Sequence, residues 1–152
     1  MIKKILIFII ASNFLVSCDY KPIYSNQNKT NFKVIFSEMV GDKNLNKLIT
    51  ENIKRNTKKD SNEIIYIKIN TSYSKDVLAK NTVGSITDYQ AKAIATFQIK
   101  KNKNFEKLII NEKFNYQKIT DSYEEKSYEQ TIKKNLASSI SQKLVIRLSI
   151  VE

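Results

Sequence analysis

The sequence predicts an α+β domain in which two helices pack on one face of a four-stranded mixed sheet, in the order β-α-β-β-β-α. Three observations predict it. Apolar residues alternate at period two in four separate segments, and they recur at helical spacing in two others. Both helical stripes need a common apolar sheet face to cover them. The chain's 152 residues suit one domain with one core, and no internal repeat divides it.

Phe32, Val34 and Phe36 alternate with Lys33, Ile35 and Ser37, which predicts the first strand. Gly41 and Asp42 punctuate the chain after it, and Asp42 is placed to cap a helix. Leu45, Leu48, Ile49, Asn52 and Ile53 then form one stripe of a helix reaching about Lys58. From Glu63 to Lys75 the period returns to two, with Ile65, Ile67 and Ile69 on one side and Tyr66 and Lys68 on the other. Asp76 to Gly84 reads as a connection, which Val77 and Leu78 could shorten by prolonging the strand.

Ile86 to Lys101 sets Ala91, Ala93, Ala95, Phe97 and Ile99 on one face. Alanine favours helix by propensity, but the alternation and the flanking Thr, Tyr, Ile and Phe predict a strand. Lys101-Asn102-Lys103-Asn104 is a turn, and Leu108, Ile110, Phe114 and Tyr116 fit the antiparallel return. Asp121-Ser122-Tyr123-Glu124 predicts a helix start of the capping-box kind, with Glu125 as a second acid in position. Tyr128, Ile132, Leu136, Ile140 and Leu144 follow at steps of four, with Ser139 and Arg147 at the stripe's edges, to about Ser149. A right-handed crossover makes the first two strands parallel, and hairpins follow. The sheet face away from the helices then carries Tyr66, Lys68, Lys92, Lys107 and Lys113, and must meet water or a partner.

Ahead of the domain, Met1-Ile2-Lys3-Lys4 leads into an apolar stretch from Ile5 to Phe14 interrupted only by Ser12 and Asn13. Leu15-Val16-Ser17-Cys18 follows, and the sequence turns polar at once. A basic start, a short apolar run and small residues at the cut are the parts of a secretory signal. About 20 apolar residues are needed to span a bilayer, and this run is shorter. The sequence therefore divides into a signal peptide (1–17), a lipidated N-terminus and flexible tether (18–31) and one domain (32–152). The single cysteine sits where lipoprotein processing needs it, so Cys18 is expected to carry a diacylglycerol and an N-acyl chain such as palmitate. Several acyl chains anchor a protein firmly where one is marginal. The alternative is an ordinary signal peptide beside an incidental cysteine.

Composition removes several functions. With no His, neither a Ser-His-Asp nor a Cys-His arrangement can form. One Cys leaves neither a disulfide nor a Cys/His zinc site, and Gly41 and Gly84, the only glycines, make no phosphate loop. The chain is therefore read as a non-enzyme with no cofactor and no metal; a Ser-Lys or two-carboxylate site is the only catalytic route left open. The net charge of +11 falls to +9 once Lys3 and Lys4 leave with the signal, 24 basic groups then facing 15 acidic ones. Such charge invites an anionic partner. Arg55 and Arg147 are the only arginines, however, and Lys, Asn, Ile and Tyr share A/T-rich codons, so the excess is permissive, not diagnostic. An exported protein would not meet nucleic acid, which is not expected as a partner.

Cys18-Asp19-Tyr20-Lys21-Pro22-Ile23-Tyr24 resembles the start of mature LptE proteins, the lipopolysaccharide-assembly lipoproteins of Gram-negative outer membranes. Many of them read Cys-Gly-aromatic-basic-Pro-aliphatic-Tyr there. The element order and Ala95-x-Phe97-x-Ile99 in the third strand match as well. The resemblance implies a lipid-anchored protein on the periplasmic side of the outer membrane, plugging the LptD β-barrel, helping it assemble and passing lipopolysaccharide to the outer leaflet. Two positions depart from the pattern: Asp19 replaces the usual glycine, and Ser25 follows Tyr24. An aspartate after the lipidated cysteine retains some enteric lipoproteins in the inner membrane, so Asp19 also fits an auxiliary lipoprotein of a lipid-transport ABC system there. A third reading is a purely structural envelope lipoprotein. If lipopolysaccharide is bound, its phosphates call for lysines at the sheet end away from the tether, and Lys75 and Lys80 are the expected pair. Against this, lysines in a loop are usually solvated surface. The other basic groups, Lys100, Lys101 and Lys103 in the turn and Lys54, Lys58 and Lys59 after the first helix, are expected at the near end.

Overall fold

The computed structural model describes residues 30–58 and 60–150. The expected signal, Cys18, nearly all of the tether and Lys59 lie outside them. Six elements follow in the expected order: β1 (Phe32–Gly41), α1 (Lys43–Asn56), β2 (Glu63–Lys80), β3 (Ile86–Lys101), β4 (Asn104–Gln117) and α2 (Ser122–Ile150). The sheet order is β1-β2-β3-β4, with β1 parallel to β2 and the other pairs antiparallel.

Alternation decides which side chains meet the helices. Ile65, Ile67 and Ile69 of β2 and Ala91, Ala93, Ala95, Phe97 and Ile99 of β3 are all buried, against Leu45, Ile49 and Ile53 of α1 and Ile132, Leu136, Ile140, Leu144 and Leu148 of α2. Small residues sit where backbones approach. Ser141 of α2, itself buried, donates to the carbonyl of Ile49 across the helix pair at 3.3 Å and to Ala137 within its own helix at 2.7 Å.

Three elements exceed their expected length. β1 passes a bulge at Ser37 and regains register at Glu38, because β2 offers it partners as far as Thr71. Gly41 ends it with φ +93°, and a Cβ there would lie 1.8 Å from the Thr71 carbonyl oxygen, so only glycine fits. Asp42 caps α1 as expected, its Oδ1 accepting from the Leu45 amide at 2.7 Å. The buried Asn46 donates to the Val40 carbonyl and accepts from Thr71, tying the turn to β2. β2 continues beyond Thr71 to Lys80, so the β2–β3 hairpin extends past β1. β4 runs from Asn104 to Gln117, the two-residue turn being closed by Asn102 at φ 54°, a conformation asparagine tolerates. At the other end Thr30 bridges to Thr57 and donates to Asn56, while Asn31 accepts from Lys58. The chain is thus already held against the end of α1 before β1 begins, which the expected tether to residue 31 did not include.

Candidate functional site

The end of the sheet away from Thr30 holds the two lysines that the sequence singled out, and it treats them differently. Lys75, expected at the end of the second strand, lies well inside β2. Its parity follows Ile65, Ile67, Ile69, Thr71 and Tyr73, so the side chain turns toward the helices. There its Nζ lies 2.7 Å from Glu125 Oε1 and 3.4 Å from Glu129 Oε2, both on α2, and 4.1 Å from the centre of the Tyr89 ring. Tyr116 closes the group, 5.7 Å from Tyr89 and 5.8 Å, edge to face, from Tyr128. Glu125, the second acid offered for the capping box, is therefore drawn to a lysine across the interface; the cap itself is Asp121, whose Oδ1 accepts from the Tyr123 and Glu124 amides.

The electrostatics follow from this crowding. Burial alone would drive the Lys75 ammonium toward neutrality, but the carboxylates of Glu125 and Glu129 and the Tyr116 oxygen outweigh it and hold the charge well above the usual lysine range. Burial, and then the Glu129 carboxylate, push the Tyr73 hydroxyl far up, and burial raises Tyr116 likewise. Next along α2, Lys133 pairs with Asp42 at 2.8 Å and stands 4.3 Å over the Tyr73 ring. Burial raises the Asp42 carboxyl, but Lys133 and the Leu45 and Asn44 amides together leave it below the usual range. The cluster binds helix to sheet. It presents no nucleophile beside a general base, and among the described residues no group of three His, Cys, Asp or Glu side chains could hold a metal ion.

Lys80 is the last residue of β2 and is exposed. The hairpin after it is shaped by Asn81, whose side-chain oxygen accepts from the Val83 and Ser85 amides, with Gly84 at φ 82°. Val77 and Leu78 are about half exposed and Val83 is 81% exposed, so Lys80 belongs to a tip that is apolar as well as basic.

The sheet face opposite the helices carries Tyr66, Lys68, Lys92, Lys107 and Lys113, as expected, and no element of the described chain covers it. Its register makes rungs across the strands: Ile35-Tyr66-Lys100-Phe105, then Lys68-Gln98-Lys107, then Val40-Asn70-Thr96-Ile109. Lys68 pairs with Glu38 at 2.8 Å, and Lys100 stands 5.4 Å over the Phe105 ring. A shallow depression of about 520 Å³ lies between Glu38, Lys68, Gln98 and Lys107. At the near end Lys101 pairs with Glu63. The sequence missed the Lys75–Glu125–Glu129 group, although two signals were present. Parity from Ile65 reaches Lys75 unbroken, and Glu125 and Glu129 extend the Ile132 and Leu136 stripe one step of helix at a time.

No protein-family model and no curated protein matches the chain. Its fold does match solved structures. The rare lipoprotein B from Shewanella oneidensis superposes with a TM-score of 0.58 at 13% identity, covering 76% of this chain and 93% of that one. Lipoprotein B from Nitrosomonas europaea gives 0.54 at 15% identity, over 83% and 90% of the two chains. A minor lipoprotein from Acinetobacter baumannii gives 0.50 at 14%, over 74% and 92%. At these identities what is shared is the fold, and it is a fold that bacterial lipoproteins use.

Proposed function

We propose that the chain is a non-enzymatic lipoprotein of the LptE type, anchored through Cys18 to the outer membrane on its periplasmic side. It plugs an LptD-type β-barrel, helps it assemble and assists lipopolysaccharide transport to the outer leaflet. The observation that carries the reading is the occurrence, in one chain, of the Cys18–Tyr24 run and the fold of rare lipoprotein B, a protein of the LptE family. Among the described residues no helix is long and apolar enough to cross a membrane; this reading takes the lipid at Cys18 as the anchor.

The geometry suits the task. The chain enters at the Thr30 end, while the β2–β3 hairpin points the other way, so a tethered domain would lead with its hairpin. The lumen of such a barrel is polar. The open sheet face mixes lysines and amides with Tyr66, Phe105 and Ile109, and its polar side chains can be wetted or paired there. Lys80 is the lysine offered at the leading tip. Lys75, held between Glu125 and Glu129, contributes by fixing the start of α2 beside that tip. Asp19 supports a second reading, an inner-membrane lipoprotein that assists a lipid-transport ABC system.

One experiment separates the two. The tagged, lipidated chain is used to pull partners from detergent-solubilised envelopes of its own organism. Recovery of a large β-barrel at near one-to-one stoichiometry is expected; recovery of a permease with its ATPase would replace the first reading by the second. With the barrel in hand, Lys80→Ser is expected to weaken phosphate-dependent glycolipid binding, and an unchanged affinity would remove Lys80 from the site.

A further inference from the structure

The open sheet face contains one rung that its own chain leaves electrostatically unfinished. Lys92 of β3 and Lys113 of β4 are direct register partners, with Ser74 of β2 completing the rung. Side chains so placed have their Cβ atoms about 5 Å apart, and like charges directly opposite destabilise a sheet. Elsewhere the fold answers many of its cations with acids: Lys68 with Glu38, Lys101 with Glu63, Lys133 with Asp42, Lys143 with Glu112 and Arg147 with Glu106. Neither Lys92 nor Lys113 has a carboxylate partner among the described residues. Asp76, one rung along, is the nearest acid by register, and it instead accepts from the Ser74 hydroxyl at 3.1 Å. The remaining neighbours are neutral. Gln90 donates to the Asn115 side-chain oxygen at 2.9 Å, leaving the Asn115 amide hydrogens available, and Asn111 lies one rung the other way.

The geometry points to an anion site on this face, built on the Lys92–Lys113 rung and suited to a phosphomonoester dianion. Charge selects the ligand class. A dianion answers both ammonium groups, while a single carboxylate answers one and leaves the other opposed. Charge-assisted bonds from two ammonium groups are the main attraction, and the side-chain amides of Asn111 and Asn115 add neutral donors. β3 is an inner strand, hydrogen-bonded on both sides, and Lys92 is only partly exposed, so the site is held by a rigid element. It lies on the face opposite Lys75, and it requires neither the barrel nor lipopolysaccharide. Its failure and the failure of the plug reading are therefore separate results.

The test uses the full lipidated chain in neutral detergent. Thermal stability is followed in sodium phosphate and in sodium chloride of equal ionic strength. It is then followed with phosphatidic acid or phosphatidylcholine in the micelle. Phosphate, but not chloride, is expected to raise the midpoint, and Lys92→Gln and Lys113→Gln are each expected to weaken the apparent affinity about tenfold, the loss of one charge-assisted bond. Lys113→Glu turns the rung into an opposite-charge pair; it is expected to fold at least as stably and to lose the phosphate response altogether. A response to phosphatidic acid alone, lost in the same variants, keeps the site and assigns its phosphate to a lipid headgroup. An equal response to chloride, or one that Lys92→Gln and Lys113→Gln leave intact, overturns the proposal. Tighter binding of an acidic peptide such as oligoglutamate than of phosphate overturns the ligand class in favour of a protein partner.

Discussion

One long helix, α2, crosses two kinds of interface. From Leu136 to Leu148 its buried face rests on isoleucines, alanines and Phe97, with Ser141 as its buried polar side chain and the ion pairs of Lys143 and Arg147 at the edges. From Glu125 to Glu129 it rests on Tyr73, Lys75, Tyr89 and Tyr116, and the bonds there are an ion pair, a cation over a ring and edge-to-face tyrosines. The first kind of contact scales with area and is indifferent to pH. The second depends on one ammonium group remaining charged and in place, because a buried carboxylate without its partner costs free energy that a buried methyl does not. The comparison teaches that the fold's stability and the positioning of its leading end are set by different chemistry. The apolar half makes the domain. The polar half fixes how the start of α2 sits beside the hairpin.

The comparison can be broken most severely in the apolar half. Phe97→Ala, at a fully buried position in the middle of β3, is expected to cost about 3–5 kcal/mol in urea unfolding. A cost below about 1 kcal/mol would mean that the core is not where the burial places it. Lys75→Met keeps the stem and removes the charge, and about 1–3 kcal/mol should be lost because Glu125 and Glu129 are left facing tyrosines. Hydrogen exchange sharpens this case: amides of residues 122–131 should exchange faster while those of 136–148 keep their protection. Equal loss in both stretches would show one cooperative unit where two are described.

Titration gives the next effect. The Asp42 carboxyl is depressed in the fold, so its contribution is present above the unfolded carboxylate value of about 3.9 and is lost as pH falls through the lower folded value. Asp42→Asn is expected to cost about 1 kcal/mol at neutral pH and to flatten the loss of thermal stability between about pH 4 and pH 2. Lys75 behaves in the opposite sense. Its ammonium is held above the usual range, so its contribution is complete below about pH 10.4 and fades only as pH rises through the higher folded value. Melting curves across both ranges, in the parent and in Asp42→Asn, check the two signs. The smallest effect belongs to the exposed Lys68–Glu38 pair, where Lys68→Ser should change stability by less than about 0.5 kcal/mol.

Much of this architecture is legible in single residues. Ala91, Ala93 and Ala95 alternate with polar or larger neighbours, and the buried face of β3 is that alternation made solid. The stripe from Ile132 to Leu144 orients α2 by spacing alone, and Asp42 and Asp121 mark both helix starts because a capping oxygen is a local requirement. The turn at Asn102 and Lys103 even sets the register that brings Lys92 opposite Lys113, since a hairpin pairs residues symmetrically about its turn. Where the reading fell short, the missing information was distance. Strand ends depend on whether a neighbour is there to pair with, so β1 outran its apolar pattern and β2 outran Lys75.

The candidate site divides in the same way. By itself the sequence determined the fold class, the two caps, the buried faces, the lysines of the open face and the absence of histidine chemistry, because period, capping and residue type are properties of neighbours along the chain. Only the tertiary structure decided that Lys75 turns inward to Glu125 and Glu129 while Lys80 stays outside, and that the Lys92–Lys113 rung has no ion-pair partner among the described residues. An ion pair between residues 50 positions apart is fixed by packing, and no local pattern carries it.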